Sequence, residues 1–178
     1  MAIKLLTELE NKILGKIIVE KDVKKIIQKG TVVLIIFVFS LLLFSHYLRI
    51  SPTSSAGYHI FIVKPCRFVR GEYVSVKISP DDPFVPDPVH TRLIKQIACL
   101  PGEKIEKRGL NYYCNGKYIA TAKLRSRDGR PLKPWIPPTH PIPPDYYFLA
   151  NHNINSYDSR YLGLFHKNRI VECLYPLF

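Results

Sequence analysis

The chain has 178 residues, and its 47% hydrophobic composition excludes a wholly disordered polymer and is enough for one core. Lys and Arg number 26 against 14 Asp and Glu, a net charge of +12, which favours anionic lipid, nucleic acid or an acidic partner without choosing among them. Four Cys without a C-x-x-C pair and six scattered His match none of the usual zinc spacings, so neither a metal nor another cofactor is expected.

Residues 1–30 carry seven Lys against Glu8, Glu10, Glu20 and Asp22. Ile3, Leu6, Leu9, Ile13 and Ile17, followed by Val23, Ile26 and Ile27, recur at helical spacing beside those Lys. The pattern fits an amphipathic helix on the inner leaflet of a membrane, and a cytoplasmic partner helix would produce it equally well. Val32 to Leu48 then runs 17 residues without an acidic, Lys or Arg side chain, the short end of what crosses a hydrocarbon core. A single transmembrane helix over 31–49 is expected, with Lys29 and Arg49 bracketing it and Tyr47 at headgroup level. A buried globular helix would need a lower apolar density. A cleaved secretory signal would need an A-x-A site after the run and fewer residues before it. The excess of Lys before the span places the N-terminus in the cytoplasm. The +9 beyond it argues the other way but weighs little in a large translocated domain.

From Tyr58 onward the sequence changes to short alternating or β-branched runs broken by turn dipeptides, which is strand chemistry. YHIFIV, EYVSVKI, RLIKQIACL, YYFLA and RIVECLY are read as strands. NYYC and KYIA meet across Asn115-Gly116, the pair best suited to a type I′ hairpin because both positions need positive φ. Residues 131–144 hold seven of the fifteen prolines; they cannot form an interior strand or helix and are expected to make an extended surface excursion. The domain expected over 50–178 is mainly β.

Chemistry concentrates in four segments: Ser51 to Gly57 (SPTSSAG), Gly71 to Val74 (GEYV), Leu93 to Glu103 (LIKQIACLPGE) and Asn155 to Gly163 (NSYDSRYLG). Each alone is ordinary, the first reading as a plain linker. In this order after one membrane span they resemble the boxes of the type I signal peptidases, Ser/Lys proteases that remove signal peptides at the outer membrane face. Within that family the chain looks most like the conjugative-transfer, TraF-type peptidases. The resemblance covers Ile50 to the C-terminus, with the Pro-rich stretch as an insertion, and implies a signal-peptidase-like coiled β-sheet domain on one N-terminal transmembrane helix.

Carried over by register, the resemblance makes Ser55 the nucleophile, Ser54 being one residue out, and Lys95 the general base. Thr53 would point its hydroxyl at the developing oxyanion, worth about 3 kcal/mol for one good donor. Ser156 would orient the Lys95 amine, and Pro52, Ala56, Ile60 and Ile94 would line a pocket for a small residue before the cut. Asp158 and Arg160 are read as a structural ion pair. A Lys amine serves as a base only if burial lowers its pKa, and strand alternation gives Lys95 the apolar neighbours Leu93, Ile97 and Cys99 on its own face. Ala56, Gln96 and Asn151-His152 depart from the common family residues, which bears on pocket shape and substrate choice more than on the Ser/Lys pair.

The expected protein is therefore a bacterial inner-membrane serine endopeptidase with a periplasmic catalytic domain. Its partners would be membrane lipid, membrane-tethered signal-peptide or pilin precursors, and conjugation machinery. The chain lacks a recognisable nucleic-acid-binding module. A non-catalytic single-pass scaffold of a conjugation or secretion complex, using the Pro-rich stretch as its contact surface, is the rival reading. Cys99 and Cys114, on strands that could be neighbours, are expected to form a disulfide, and Cys66 and Cys173 to be free.

Overall fold

A computed structural model describes residues 2–178, with the side chains of all but residues 2–22 and 54. The apolar face expected over Ile3 to Ile17 thus lies outside the described side chains. Helix α1 runs unbroken from Ala2 to Tyr47. Its stretch Val23–Tyr47, 25 residues, is long and apolar enough to cross a membrane. Val, Leu, Ile and Phe side chains are exposed all along that stretch.

The β domain begins where the helix ends. Among its described residues, seven strands form one sheet: β1 (Leu48–Ile50), β2 (Ile60–Lys64), β3 (Tyr73–Lys77), β4 (Arg92–Cys99), β8 (Tyr146–Leu149), β9 (Phe165–His166) and β10 (Ile170–Pro176), in the order β1-β2-β10-β3-β4-β8-β9. Three more, β5 (Ile105–Arg108), β6 (Asn111–Cys114) and β7 (Lys117–Thr121), form a second sheet in chain order. All the pairings are antiparallel. This is the mainly β architecture on an apolar N-terminal helix that the strand patterning predicts. The β6–β7 hairpin turns at Asn115 and Gly116, both with positive φ (46° and 78°), as the type I′ geometry demands.

Alternation puts the core where it is needed. Val74, Val76, Ile97, Leu149, Phe165 and Cys173 pack as one cluster between the strands of the large sheet. Tyr112, Phe148, Ile105, Cys99 and Cys114 form a second one that ties the small sheet to it. Each fully buried aliphatic or aromatic side chain is worth roughly 1.5–3 kcal/mol, so the two clusters dominate the domain's stability.

Two features differ from the sequence expectations. Cys66 and Cys173 are not free: they form a disulfide, with Cα atoms 5.0 Å apart, alongside the expected Cys99–Cys114 bridge. The cause is topological, because β10 returns to lie between β2 and β3 and brings Cys173 opposite Lys64, two residues from Cys66. The Pro-rich stretch has no regular strand or helix, as expected, yet it is a strap more than a surface excursion. Ile142 is 4% exposed, and its amide donates to Glu103 O while its carbonyl accepts from Gly102 N. Trp135 packs on Phe148 and closes against Gly163, where a Cβ would meet the indole at 2.9 Å.

Candidate active site

Lys95 sits in β4, where the burial pattern alternates as a one-sided strand should: Lys95, Ile97 and Cys99 face inward. Opposite it on β3 stands Val74, fully buried. The Lys95 side chain is 3% exposed, and its amine donates a 2.9 Å hydrogen bond to Ser156 Oγ. Burial lowers the amine's pKa from 10.5 to about 8, a shift that Asp158 opposes and Arg160 reinforces. A neutral amine near physiological pH is thus within reach.

Asp158 and Arg160 hold the loop that carries Ser156. Both are fully buried and pair in bidentate fashion, Nε to Oδ1 at 2.8 Å and Nη2 to Oδ2 at 2.7 Å. Asp158 also caps the short helix α2 (Ser159–Leu162) by accepting from Arg160 N. Nη1 donates to the Thr121 carbonyl, and Nη2 also reaches the carbonyls of Asn153 and Ser156, which share it. A buried pair survives only when so fully satisfied. The arrangement fixes the Ser156 backbone.

Ser55 lies in a 3-10 turn, Ser54–Ala56, that packs on β4. The turn is fastened by Ser51 N to His59 O, Ser51 Oγ to Thr53 O, and Tyr73 Oη to Ala56 O. Ser55 Oγ lies 3.1 Å from Thr53 Oγ1, so its hydrogen bond runs to the Thr hydroxyl and not to the amine. Ser55, Thr53, Pro52, Leu93 and Lys95 nevertheless line one cavity of about 340 Å³. Catalytic hydrogen bonds are often unmade before substrate arrives. Of the other residues expected in a substrate pocket, Ala56 is buried with Phe61 and Leu174, and Ile94 packs against them beneath the turn. Ile60 starts β2 opposite Ile50 and belongs to neither the cavity nor that cluster.

Asn151 braces the backbone around Lys95 in a way that pattern reading undervalued. Its carboxamide Oδ1 accepts from Gln96 N at 3.1 Å, and its Nδ2 donates to Ile94 O at 3.1 Å. One side chain therefore imitates a neighbouring strand on both flanks of Lys95. Its own amide donates to Asp158 Oδ2, which ties this clamp to the buried ion pair. The available signal was a neutral amide, able to donate and accept, where the resembled family commonly has an acid.

Among the described residues, one group, Cys99, Glu103 and Cys114, brings three potential metal ligands together. The two sulfurs are bonded to each other and do not offer the thiolates a metal would need.

Residues 23–173 match the family described as Signal peptidase, peptidase S26. The chain is 29% identical over 131 residues to Signal peptidase I of Bacillus amyloliquefaciens, covering 67% of this chain and 64% of that one. It is 37% identical over 73 residues to the "Probable conjugal transfer protein TraF" of Sinorhizobium fredii, covering 40% of this chain and 37% of that one. The chain thus spans less than two thirds of either relative. A solved signal peptidase I from Enterococcus faecalis aligns with a TM-score of 0.39 at 21% identity, over 65% of this chain and 99% of that one.

Proposed function

The chain belongs to the signal peptidase S26 family of signal-peptide-cleaving proteases, and from that premise we propose that it is a serine endopeptidase working through Ser55 and Lys95. One observation carries the reading: a Lys amine, 3% exposed and hydrogen-bonded to Ser156, faces the same cavity as a Ser hydroxyl. Ser55 Oγ attacks the scissile carbonyl carbon and gives its proton to the neutral Lys95 amine. Thr53 Oγ1 and the Ser55 amide stabilise the oxyanion. As the carbon–nitrogen bond breaks, the leaving amine takes the proton back from Lys95, leaving an acyl group on Ser55. Water, deprotonated by the same amine, then releases the acyl group.

The substrate lies in an extended form. β8 pairs with β4 only at Ile97 and Cys99, so Arg92–Ile94 carries no strand on that edge; the Ile94 carbonyl is taken by Asn151, and a precursor segment adds by backbone hydrogen bonds to the groups ahead of it. Of the residues expected to shape a pocket for a small residue before the cut, Pro52 lines the cavity, while Ala56 and Ile94 pack behind it. The apolar helix and the family point to a membrane-anchored protein. Its N-terminus is cytoplasmic and its domain periplasmic at the bacterial inner membrane, as the Lys excess before the span supports. The likeness to a conjugal transfer protein supports a role in conjugation with pilin-type or other signal-peptide precursors.

The test is incubation of the purified full chain in detergent with such precursors, reading new termini by mass spectrometry. Cleavage should vanish in Ser55→Ala and Lys95→Ala while both remain folded. Undiminished cleavage by either variant would refute the Ser55/Lys95 pair, and complementation in cells by Ser55→Ala would favour the scaffold reading instead.

A further inference from the structure

Beside the cavity shared by Ser55 and Lys95 lies a second one of about 250 Å³, and Arg127, Asn155 and Tyr157 line both. Four cations border this neighbour: Lys123, Arg125, Arg127 and Arg130. Its one carboxylate, Asp128, is already taken by Arg130 at 2.5 Å and by the Ser126 hydroxyl. Lys123 donates to the neutral carboxamide of Asn155 at 2.8 Å, and Arg125 to the Gly129 carbonyl at 3.0 Å. Arg127, exposed, has no hydrogen-bond or ionic partner among the described residues. Three cations, Lys123, Arg125 and Arg127, thus border one concavity with no carboxylate paired to them; Asp82, which accepts from Tyr157 behind its wall, offsets only part of a charge that attracts an anion.

The chemistry of cleavage says which part of a substrate meets it. Lys95 returns its proton to the leaving amine, so the chain beyond the cut emerges at Lys95. The residue bonded to that amine, Ser156, lines the cationic cavity. We propose that this cavity is a subsite for Asp or Glu side chains in the segment just after the scissile bond. Its placement after the cut rests on the peptidase reading, whereas its preference for an anion rests on the cations alone.

The test uses the full chain in neutral detergent, carrying Ser55→Ala so that probes stay intact. Two dye-labelled peptides share an Ala-x-Ala segment and differ only in having Glu or Gln at the positions that follow it. By fluorescence anisotropy at low salt the Glu peptide should bind about tenfold more tightly, equivalent to about 1.4 kcal/mol. Arg127→Glu or Arg125→Glu should bring the Glu-to-Gln ratio to about one, Arg127→Lys should keep most of it, and high salt should shrink it. Equal affinities in the unsubstituted subsite would overturn the proposal. So would equal affinities accompanied by a loss of phosphatidylglycerol-vesicle binding in Arg127→Glu, which would make the patch a lipid contact. Cleavage of the same peptides by the chain with Ser55 intact is scored separately. A preserved Glu preference without cleavage would refute the peptidase reading and leave the anion site standing.

Discussion

The carboxamide of Asn151 takes a hydrogen bond from the peptide just after Lys95 and gives one to the peptide just before it, so a single side chain braces the backbone on both sides of Lys95. A carboxylate at 151 could accept but not donate, and it would add negative charge beside the amine. Asn151→Asp should therefore favour the ammonium and move the alkaline rise of kcat/KM upward by about one pH unit. Asn151→Ala should instead lower stability, by about 1 kcal/mol per lost bond, with little change in that midpoint. Parallel pH–rate profiles and urea unfolding separate the two effects, and coincident profiles for all three proteins would show that Asn151 only supports the fold.

A buried Lys carries a stability cost whose sign is fixed. Its folded pKa, about 8, lies below the ordinary 10.5 of a Lys amine, so between those values the unfolded chain binds the extra proton and stability rises with pH. Below about pH 8 the whole penalty is present. Lys95→Met, which keeps an unbranched apolar stem, should abolish cleavage and yet stabilise the domain at pH 7 by up to about 3 kcal/mol. The stabilisation should fade toward pH 10. Urea unfolding at pH 7 and pH 10 checks it, and a destabilised Lys95→Met at pH 7 would refute the desolvation argument.

Glu72 works in the opposite direction. Burial pushes its carboxyl up, but Lys64 and the amides of Phe68 and Arg67 outweigh this and hold it below the ordinary carboxylate value. A depressed acid contributes stability that is complete above its unfolded pKa and is lost as pH falls through the folded one. Glu72→Gln should thus be less stable than the parent at pH 7, and the difference should shrink as pH drops below about 4. Thermal unfolding across pH 3–7 measures this, and a constant difference would show that the charge is not what matters.

These elements differ in how legible they were. The hairpin at Asn115-Gly116 could be read because its turn chemistry is local, and the burial of Lys95 because a strand alternates every second residue. Asp158 and Arg160 form their pair two residues apart, a pair that the family resemblance brought to notice. By contrast, the Cys66–Cys173 bridge depends on β10 inserting between β2 and β3, a relation across 107 residues that no local pattern encodes. Asn151 acts by imitating a strand with its side chain, and the cations around Arg127, all within residues 123–130, looked like ordinary basic surface until residues 154–157 were seen to close a cavity with them. Both became visible only when separate segments were brought together.

The two disulfides close loops of very different length, 107 and 15 residues. By loop entropy the longer bridge should contribute about 4–5 kcal/mol and the shorter about 3. Cys66→Ala/Cys173→Ala should therefore lower the urea midpoint more than Cys99→Ala/Cys114→Ala. The reverse order would mean that tying the small sheet to β4 matters more than constraining the unfolded chain.

The central claim is that a desolvated, neutral Lys95 activates Ser55, and the pH dependence of kcat/KM on a neutral peptide substrate tests it most directly. With the amine's pKa at about 8, about a tenth of it is neutral at pH 7, so kcat/KM should climb about tenfold between pH 7 and pH 9 and then level off. A profile flat across that range, or one still rising above pH 10, would contradict the account.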